Sequence, residues 1–216
     1  KISKYALGKD YHLVMKDKMK ILIEFLKEQN TFGNYLSYVD SGPLIEKALA
    51  QKAGLGWIGK NTLIINRKIG SFFFIGCIIT DIELIYDDIS LNYCGTCKKC
   101  IEACPTKALV EPYILDSNKC ISYLTIEFRG EDLPRTLKGK FDNWVFGCDI
   151  CQDVCPWNKN SKKTDVLEFY PVIDPFINLK EESKITEKQF DIKYSETAIK
   201  RAKYKGFLRN INFLID

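Results

Sequence analysis

Four cysteines in the middle of the chain constrain its fold more than any other feature. They form the run C-x2-C-x2-C-x3-C-P, made of Cys94, Cys97, Cys100, Cys104 and Pro105. A tight loop of this kind aims the first three thiolates at one point, while the fourth is carried away on the next helix. The spacing predicts ligands of a 4Fe–4S cluster, and therefore a chain that transfers electrons.

A second, partial run follows, made of Cys148, Cys151, Cys155 and Pro156. When the two C-x3-C-P ends are aligned, Val145 stands where the first run has its leading cysteine, and Cys120 is the predicted substitute. In bacterial ferredoxins the last cysteine of each run ligates the other cluster. We therefore predict that cluster 1 is held by Cys94, Cys97, Cys100 and Cys155, and cluster 2 by Cys104, Cys120, Cys148 and Cys151.

The ninth cysteine, Cys77, lies in the apolar stretch 72–79 and is predicted to be a buried, inert thiol. Paired C-x2-C motifs also bind zinc, which is the alternative metal. The longer run and its interlocked partner favour iron–sulfur clusters. Disulfides are disfavoured because the chain shows no secretory signal, so all nine cysteines suit a reducing cytoplasm.

Composition indicates a folded chain without a membrane span. Hydrophobic residues make up 46% of the 216 residues, which is enough for a substantial core. The longest apolar stretch, 72–79, is too short to cross a bilayer, so we predict no membrane association. The net charge of +4 is compatible with a nucleic-acid partner but does not identify one.

The periodicity of apolar residues predicts an α+β fold. Residues 11–28 have the pattern of an amphipathic helix. Residues 35–39 alternate like a short strand that delivers Asp40 to its end, and Ser41 is the predicted N-cap of the following helix. The other predicted elements are helices over 44–53, 185–190 and 195–215, and a hairpin that pairs 62–66 with 71–80.

Several separated motifs resemble the epoxyqueuosine reductase family. They occur in the order found in the family and span nearly the whole chain: Val39–Pro43, Glu46–Ala50, Ala53–Asn61, Cys120–Glu127, Gly147–Asn158 and Lys200–Asn210. The resemblance implies an oxidoreductase that uses cobalamin and two 4Fe–4S clusters. Its implied reaction converts epoxyqueuosine, at the wobble position of tRNA, to queuosine.

The resemblance also implies a domain organisation. Residues 1–90 would be a nitroreductase-like, cobalamin-binding catalytic domain that lacks its N-terminal part. Residues 91–165 would be a ferredoxin-like module with both clusters. Residues 166–216 would form a helical, basic C-terminal segment.

Individual residues take implied roles from the same resemblance. Asp40 corresponds to the family's proton donor, and for that role we expect it to be protonated through burial beside Val39 and the corrin. His12, the only histidine, is predicted to be an ordinary surface residue, so that cobalamin has no histidine ligand from this chain. The implied cobalamin contacts are Asp40, Gly59, Lys60, Asn61, Ser122, Tyr123 and Thr125.

The predicted partner is tRNA carrying epoxyqueuosine. The basic residues that could follow its phosphate backbone are Lys98, Lys99, Lys107, Lys119, Lys200, Arg201, Lys203, Lys205 and Arg209. The tail could instead be a solvated helix face. We predict a monomer that receives electrons from a flavodoxin- or ferredoxin-type donor. A plain ferredoxin-like electron-transfer protein and a reductive dehalogenase-like cobalamin enzyme are the alternative functions.

Overall fold

The computed structural model describes residues 1–29, 32–159 and 161–215. It contains helices and strands in an irregular α+β arrangement, in agreement with the predicted class. The helices are α1 (Tyr11–Gln29), α2 (Glu46–Lys52), α3 (Lys99–Glu102), α4 (Ile121–Ile126), α5 (Ile150–Asp153), α6 (Leu179–Glu182), α7 (Glu187–Lys193) and α8 (Lys203–Ile215). The strands are β1 (Tyr35–Tyr38), β2 (Trp57–Ile58), β3 (Ile64–Ile65), β4 (Cys77–Thr80), β5 (Leu109–Glu111) and β6 (Ile114–Leu115).

Short 3-10 helices connect these elements at Lys4–Ala6, Ser117–Lys119, Arg135–Leu137, Pro156–Asn158, Leu167–Phe169 and Ala198–Ala202. The strands form three antiparallel pairs, β1 with β4, β2 with β3 and β5 with β6. Within the described residues, no helix combines the length and the apolar character that crossing a membrane requires.

The predicted helix over 11–28 is confirmed as α1, but the helix after Asp40 begins later than expected. Asp40 has a φ of 56°, and its backbone N–H donates to Oε1 of Glu46 at 2.6 Å. Ser41 and Pro43 lie in the segment between Asp40 and the helix. Ser41 is therefore not the N-cap, and α2 starts at Glu46. The predicted stop at Gly54 holds, because its φ of 69° lets the N–H of Leu55 bond to the carbonyl of Ala50.

The predicted hairpin between 62–66 and 71–80 is wrong. A tight turn does join Asn66 to Gly70, but the chain then diverges. The N–H of Ser71 donates to Oδ1 of Asn158 at 2.6 Å, which draws this segment toward the second cysteine run. β3 therefore pairs with β2, and β4 pairs with β1 in the register Tyr35 to Thr80.

Cys77 is only half-buried, which corrects the prediction of a buried thiol. It begins β4, whose only strand partner among the described residues is β1. A two-stranded ribbon leaves one face without a covering sheet, and Ile79 on the same strand is 44% exposed.

The predicted C-terminal helix over 195–215 is broken in two. Lys203 has a φ of 58°, which separates the 3-10 turn Ala198–Ala202 from α8. The predicted helix over 185–190 begins at Glu187 as α7, because Thr186 and Gln189 form a capping box.

The largest core joins residues from all three predicted domains. Ile2, Ala6 and Leu7 from the first segment pack with Val145 and Phe146 from the second and with the C-terminal helices. The C-terminal contributors are Phe190, Tyr194, Ala198, Ile199, Ala202, Phe207 and Ile211. Burial of one such large apolar side chain contributes roughly 1.5–3 kcal/mol. The boundaries predicted from the resemblance therefore do not separate independent cores.

Candidate functional site

The four cysteines predicted for cluster 1 lie around one cavity of about 270 Å³. Cys94, Cys97 and Cys100 come from the loop before α3 and its first turn, and Cys155 reaches them from the end of α5. Burial raises the pKa of Cys100, and the neighbouring thiolates of Cys155 and Cys94 raise it further. We refer to this group as set 1.

The cysteines predicted for cluster 2 form a second group, which we call set 2. Burial raises the pKa of Cys148 to about 12, and the nearby thiols of Cys120 and Cys104 add to the effect. Burial also raises the pKa of Cys151, which interacts with these three and with Cys100 of set 1. The two sets are therefore neighbours, as the packing of α3 against α5 requires.

The surroundings of set 1 fit an anionic iron–sulfur cluster. Nε1 of Trp57 donates to Sγ of Cys94 at 3.4 Å. Nδ2 of Asn61 is buried without a hydrogen-bond partner in the described part of the chain, and its side chain lines the same cavity. N–H donors beside the sulfurs stabilise the negative charge that a reduced cluster carries.

Lys60 supplies a positive charge to set 1. Lys60 is 8% exposed, and its Nζ donates to the carbonyls of Gly95 at 2.6 Å and Cys97 at 2.9 Å. Sequence reasoning assigned this lysine to cobalamin and missed its contacts with the cluster loop. The available sequence signal was the position of this lysine directly after Gly59, at the end of the glycine-rich loop 54–59.

Set 2 also has hydrogen-bond donors directed at sulfur. The backbone N–H of Ala108 lies 3.2 Å from Sγ of Cys104, and Oγ1 of Thr106 lies 3.6 Å from it. Burial opposes ionisation of Cys104, but these hydrogen bonds outweigh it and lower the pKa of the thiol. Among the described residues, no three His, Cys, Asp or Glu side chains are arranged as ligands of a single metal ion.

Asp40 lies where the sequence places it, directly beyond β1, but it is not buried. Its side chain is 53% exposed, whereas the preceding Val39 is buried. Val39 and the other described residues therefore do not bury Asp40 by themselves, and its burial beside the corrin stays a prediction.

Two side chains from the first turn of α1, Tyr11 and His12, contact the Asp40 carboxylate. Nε2 of His12 lies 3.4 Å from Oδ2 of Asp40, and Nδ1 of His12 lies 2.8 Å from Oδ1 of Asp10. Burial raises the pKa of Tyr11, and its hydrogen bond and charge interaction with Asp40 raise it further. His12 is thus not an ordinary surface residue, and the sequence signal for this was an aspartate two positions before it.

The residues predicted to contact cobalamin divide into buried and accessible groups. Gly59, Lys60, Asn61 and Thr125 are buried. The Thr125 hydroxyl donates to the carbonyl of Ile121 at 2.7 Å and accepts the N–H of Gly147, so its side chain already has partners within the protein. Ser122 and Tyr123 are accessible, and neither side chain has a hydrogen-bond partner in the described ranges.

Three residues of the basic tail form hydrogen bonds or ion pairs with other residues of this chain. Arg209 donates to the carbonyls of Leu124, Phe128 and Gly130, and burial lowers its pKa, so it is a structural residue rather than a free phosphate ligand. Lys200 is paired with Asp191 at 3.1 Å, and Arg201 with Glu127 at 2.9 Å. Lys203 and Lys205 are exposed, and among the described residues neither side chain forms an ion pair.

Two family models match this chain, one over the cysteine-rich segment and one over the N-terminal segment. The family model described as 4Fe-4S double cluster binding domain matches residues 93–158, and the one described as Epoxyqueuosine reductase QueG, DUF1730 matches residues 1–41. An epoxyqueuosine reductase from Cellulophaga algicola is 49% identical over 215 residues, which cover 99% of this chain and 70% of the relative. The chain belongs to the epoxyqueuosine reductase family.

Solved structures of epoxyqueuosine reductases share this fold. One, solved with an epoxyqueuosine-modified tRNA-Tyr stem loop, has a TM-score of 0.92 and 35% identity. Another, from Bacillus subtilis, was solved with a catalytic aspartate loop swung out of the active site, and has a TM-score of 0.91 and 34% identity. This chain is covered to 99% in both comparisons but spans only 56% of the length of each of those chains.

Proposed function

We propose that this chain, within the complete protein, reduces epoxyqueuosine in tRNA to queuosine. The observation that carries the proposal is that the same chain holds two neighbouring four-cysteine sets and, at the end of β1, an exposed aspartate. Opening the epoxide and expelling its oxygen as water consumes two electrons and two protons and leaves an alkene. The chain offers separate groups for electrons and for protons.

The two sets support stepwise electron delivery. Set 1 and set 2 would each hold one 4Fe–4S cluster, and Cys151 of set 2 lies close enough to Cys100 of set 1 for their charges to interact. Each cluster passes one electron at a time, so two transfers supply one turnover. We propose a flavodoxin- or ferredoxin-type protein as the source, and a monomer acting in the reducing cytoplasm, which would keep the nine thiols reduced.

Three accessible polar residues suit a bound cobalamin. Asp40, Ser122 and Tyr123 would face it, and Ser122 and Tyr123 follow the set 2 ligand Cys120 directly on α4. Bound cobalamin would supply a strongly reducing cobalt centre next to the substrate. The four buried residues of the predicted contact list support the protein core and set 1 instead.

Proton delivery is the role of Asp40. A positioned acid contributes about 10²–10⁴-fold to the rate of a reaction that requires proton transfer. The exposed carboxylate of Asp40 is accessible to a substrate, and Tyr11 and His12 contact it. We propose that the neutral acid protonates the departing epoxide oxygen.

The surface beside Asp40 suits an RNA backbone. Hydrogen bonds to Glu127 raise the pKa of Arg201, and the charges of Asp40 and Tyr11 raise it further, so this arginine lies near the proposed acid. Lys203 and Lys205 continue the positive surface along α8. Cations in this position would hold phosphates while the modified base enters the site.

The test is turnover of epoxyqueuosine-containing tRNA by the full-length protein, purified without oxygen and supplied with cobalamin and a reductant. Wild type should form queuosine, and Asp40→Asn should slow product formation by about 10²-fold or more while retaining iron and cobalamin. Asp17→Asn, an equal charge change on the exposed side of α1, is the matched control. Full activity of Asp40→Asn would assign proton donation to another group, and no queuosine from wild type would overturn the proposed reaction.

A further inference from the structure

The contact between His12 and Asp40 has a consequence for the second proton of the reaction. A single carboxylic acid holds one proton, whereas the conversion of an epoxide to an alkene and water consumes two. An acid that acts twice must be reprotonated between the two steps. The only imidazole of the chain lies with Nε2 at 3.4 Å from the Asp40 carboxylate.

We propose that His12 is a positioning residue that returns a proton to Asp40 during each turnover. This inference rests on the proposed function of Asp40. In the first step Asp40 gives its proton to the substrate oxygen and becomes a carboxylate. The His12 imidazolium then passes its Nε2 proton to that carboxylate, so the ring becomes neutral and Asp40 is an acid again for the second protonation.

Asp10 determines which nitrogen of His12 can take part. Its Oδ1 lies 2.8 Å from Nδ1 of the ring and also accepts the backbone N–H of His12 at 3.0 Å. This carboxylate therefore holds a proton on Nδ1 in both states of the ring. Nε2 is left as the atom that gains and loses a proton, and Nε2 is the atom that faces Asp40.

The position of the ring is fixed, and its Nε2 atom exchanges protons with solvent through Asp40. Tyr11 stacks on Phe74 with ring centroids 4.4 Å apart, and the centroids of Tyr11 and His12 are 4.1 Å apart. Nε2 of His12 is buried and has no hydrogen-bond partner among the described residues, whereas the Asp40 side chain is 53% exposed, so the proton of Nε2 returns through the Asp40 carboxylate between turnovers. The other titratable or charged groups that face the pair are Asp10, Tyr11, Tyr5, Glu46 and Arg201.

The geometry can be tested without cobalamin or tRNA, because His12 is the only histidine and its ¹⁵N signals need no assignment. In protein with oxidised clusters, we expect the neutral ring to carry its proton on Nδ1. Asp40→Asn should move the ¹⁵N signal of Nε2 clearly more than that of Nδ1, because Nε2 is the atom that faces residue 40. Asp17→Asn should leave both signals nearly unchanged. A proton on Nε2 of the neutral ring, or equal effects of the two variants, would overturn the proposal.

A second experiment measures kcat and the affinity for tRNA, using the full-length protein with clusters, cobalamin and modified tRNA. His12→Gln retains a polar side chain but cannot carry a proton, and it should lower kcat by about 10²-fold. The affinity for tRNA should not change, which separates a proton-transfer defect from a structural one. An unchanged kcat would refute the relay. If wild type converts no epoxyqueuosine, the proposed function fails while the ¹⁵N result still reports on the His12–Asp40 pair.

Discussion

Replacing Lys60 by methionine should lower the reduction potential of cluster 1. Lys60 is a buried ammonium that donates to two carbonyls of the cluster loop, and none of the ion pairs in the described ranges includes it. The neighbouring negative charge would be the cluster itself, which becomes more negative on reduction. Methionine keeps the unbranched shape of the side chain and removes only the charge and the two hydrogen bonds.

The expected shift follows from Coulomb's law. Nζ lies 2.9 Å from the carbonyl oxygen of the ligand Cys97, which places the charge on the order of 6 Å from a cluster and corresponds to about 3 kcal/mol at an effective dielectric constant near 20. Solvent at the open side of the cavity reduces this value, so a range of about 1–3 kcal/mol is reasonable. For a one-electron couple this range equals roughly 40–130 mV. The sign is negative, because the lysine favours the reduced state.

The assay is a redox titration followed by electron paramagnetic resonance on oxygen-free protein. Lys99→Met is the matched control, because Lys99 lines the same cavity but is exposed to solvent. We expect a clearly smaller shift for Lys99→Met than for Lys60→Met, with equal iron content in both variants. Equal shifts, or no shift for Lys60→Met, would show that the Lys60 charge does not act on the cluster.

Two further outcomes are expected. Cys120→Ser should remove one cluster, lowering iron from about eight to about four per chain and abolishing the signal of cluster 2, whereas Cys77→Ser should retain both. Iron content that stays near eight in Cys120→Ser would exclude Cys120 as a ligand. Replacing both Lys203 and Lys205 by glutamine should weaken binding of modified tRNA and reduce the slope of log affinity against log salt by about two. The single change at Lys200, which already pairs with an acid, should have a smaller effect. An unchanged salt dependence in the double variant would remove these lysines from the interface.

Local patterns predicted the parts of the molecule that depend on neighbours in sequence. The apolar repeat of α1 and the alternation of β1 are properties of short segments, and both elements form close to the predicted bounds. The same holds for the termination of α2 at Gly54, where a positive φ is needed. The motif that follows β1 likewise places Asp40 directly beyond the strand.

The sequence-based predictions failed where residues distant in sequence form contacts that override the local preference of a segment. The segment after Gly70 could have paired with its neighbour, but the amide of Asn158 binds Ser71 from 87 positions away. Arg209 has a side chain that often binds phosphate, yet it donates hydrogen bonds to three backbone carbonyls of residues 124–130. No pattern within either segment contains this information.

The spacing of the thiols, read from the sequence alone, predicted eight cysteine ligands and their division into two sets, and it determined the iron–sulfur chemistry that the matching family model supports. Tertiary packing alone decided that Lys60 faces set 1 and that His12 contacts Asp40. The physical reason is that the geometry of a cysteine run depends on a few adjacent backbone angles. The charge and hydrogen bonding around a side chain depend instead on distances in space, and in this fold the groups that set them come from separate segments of the chain.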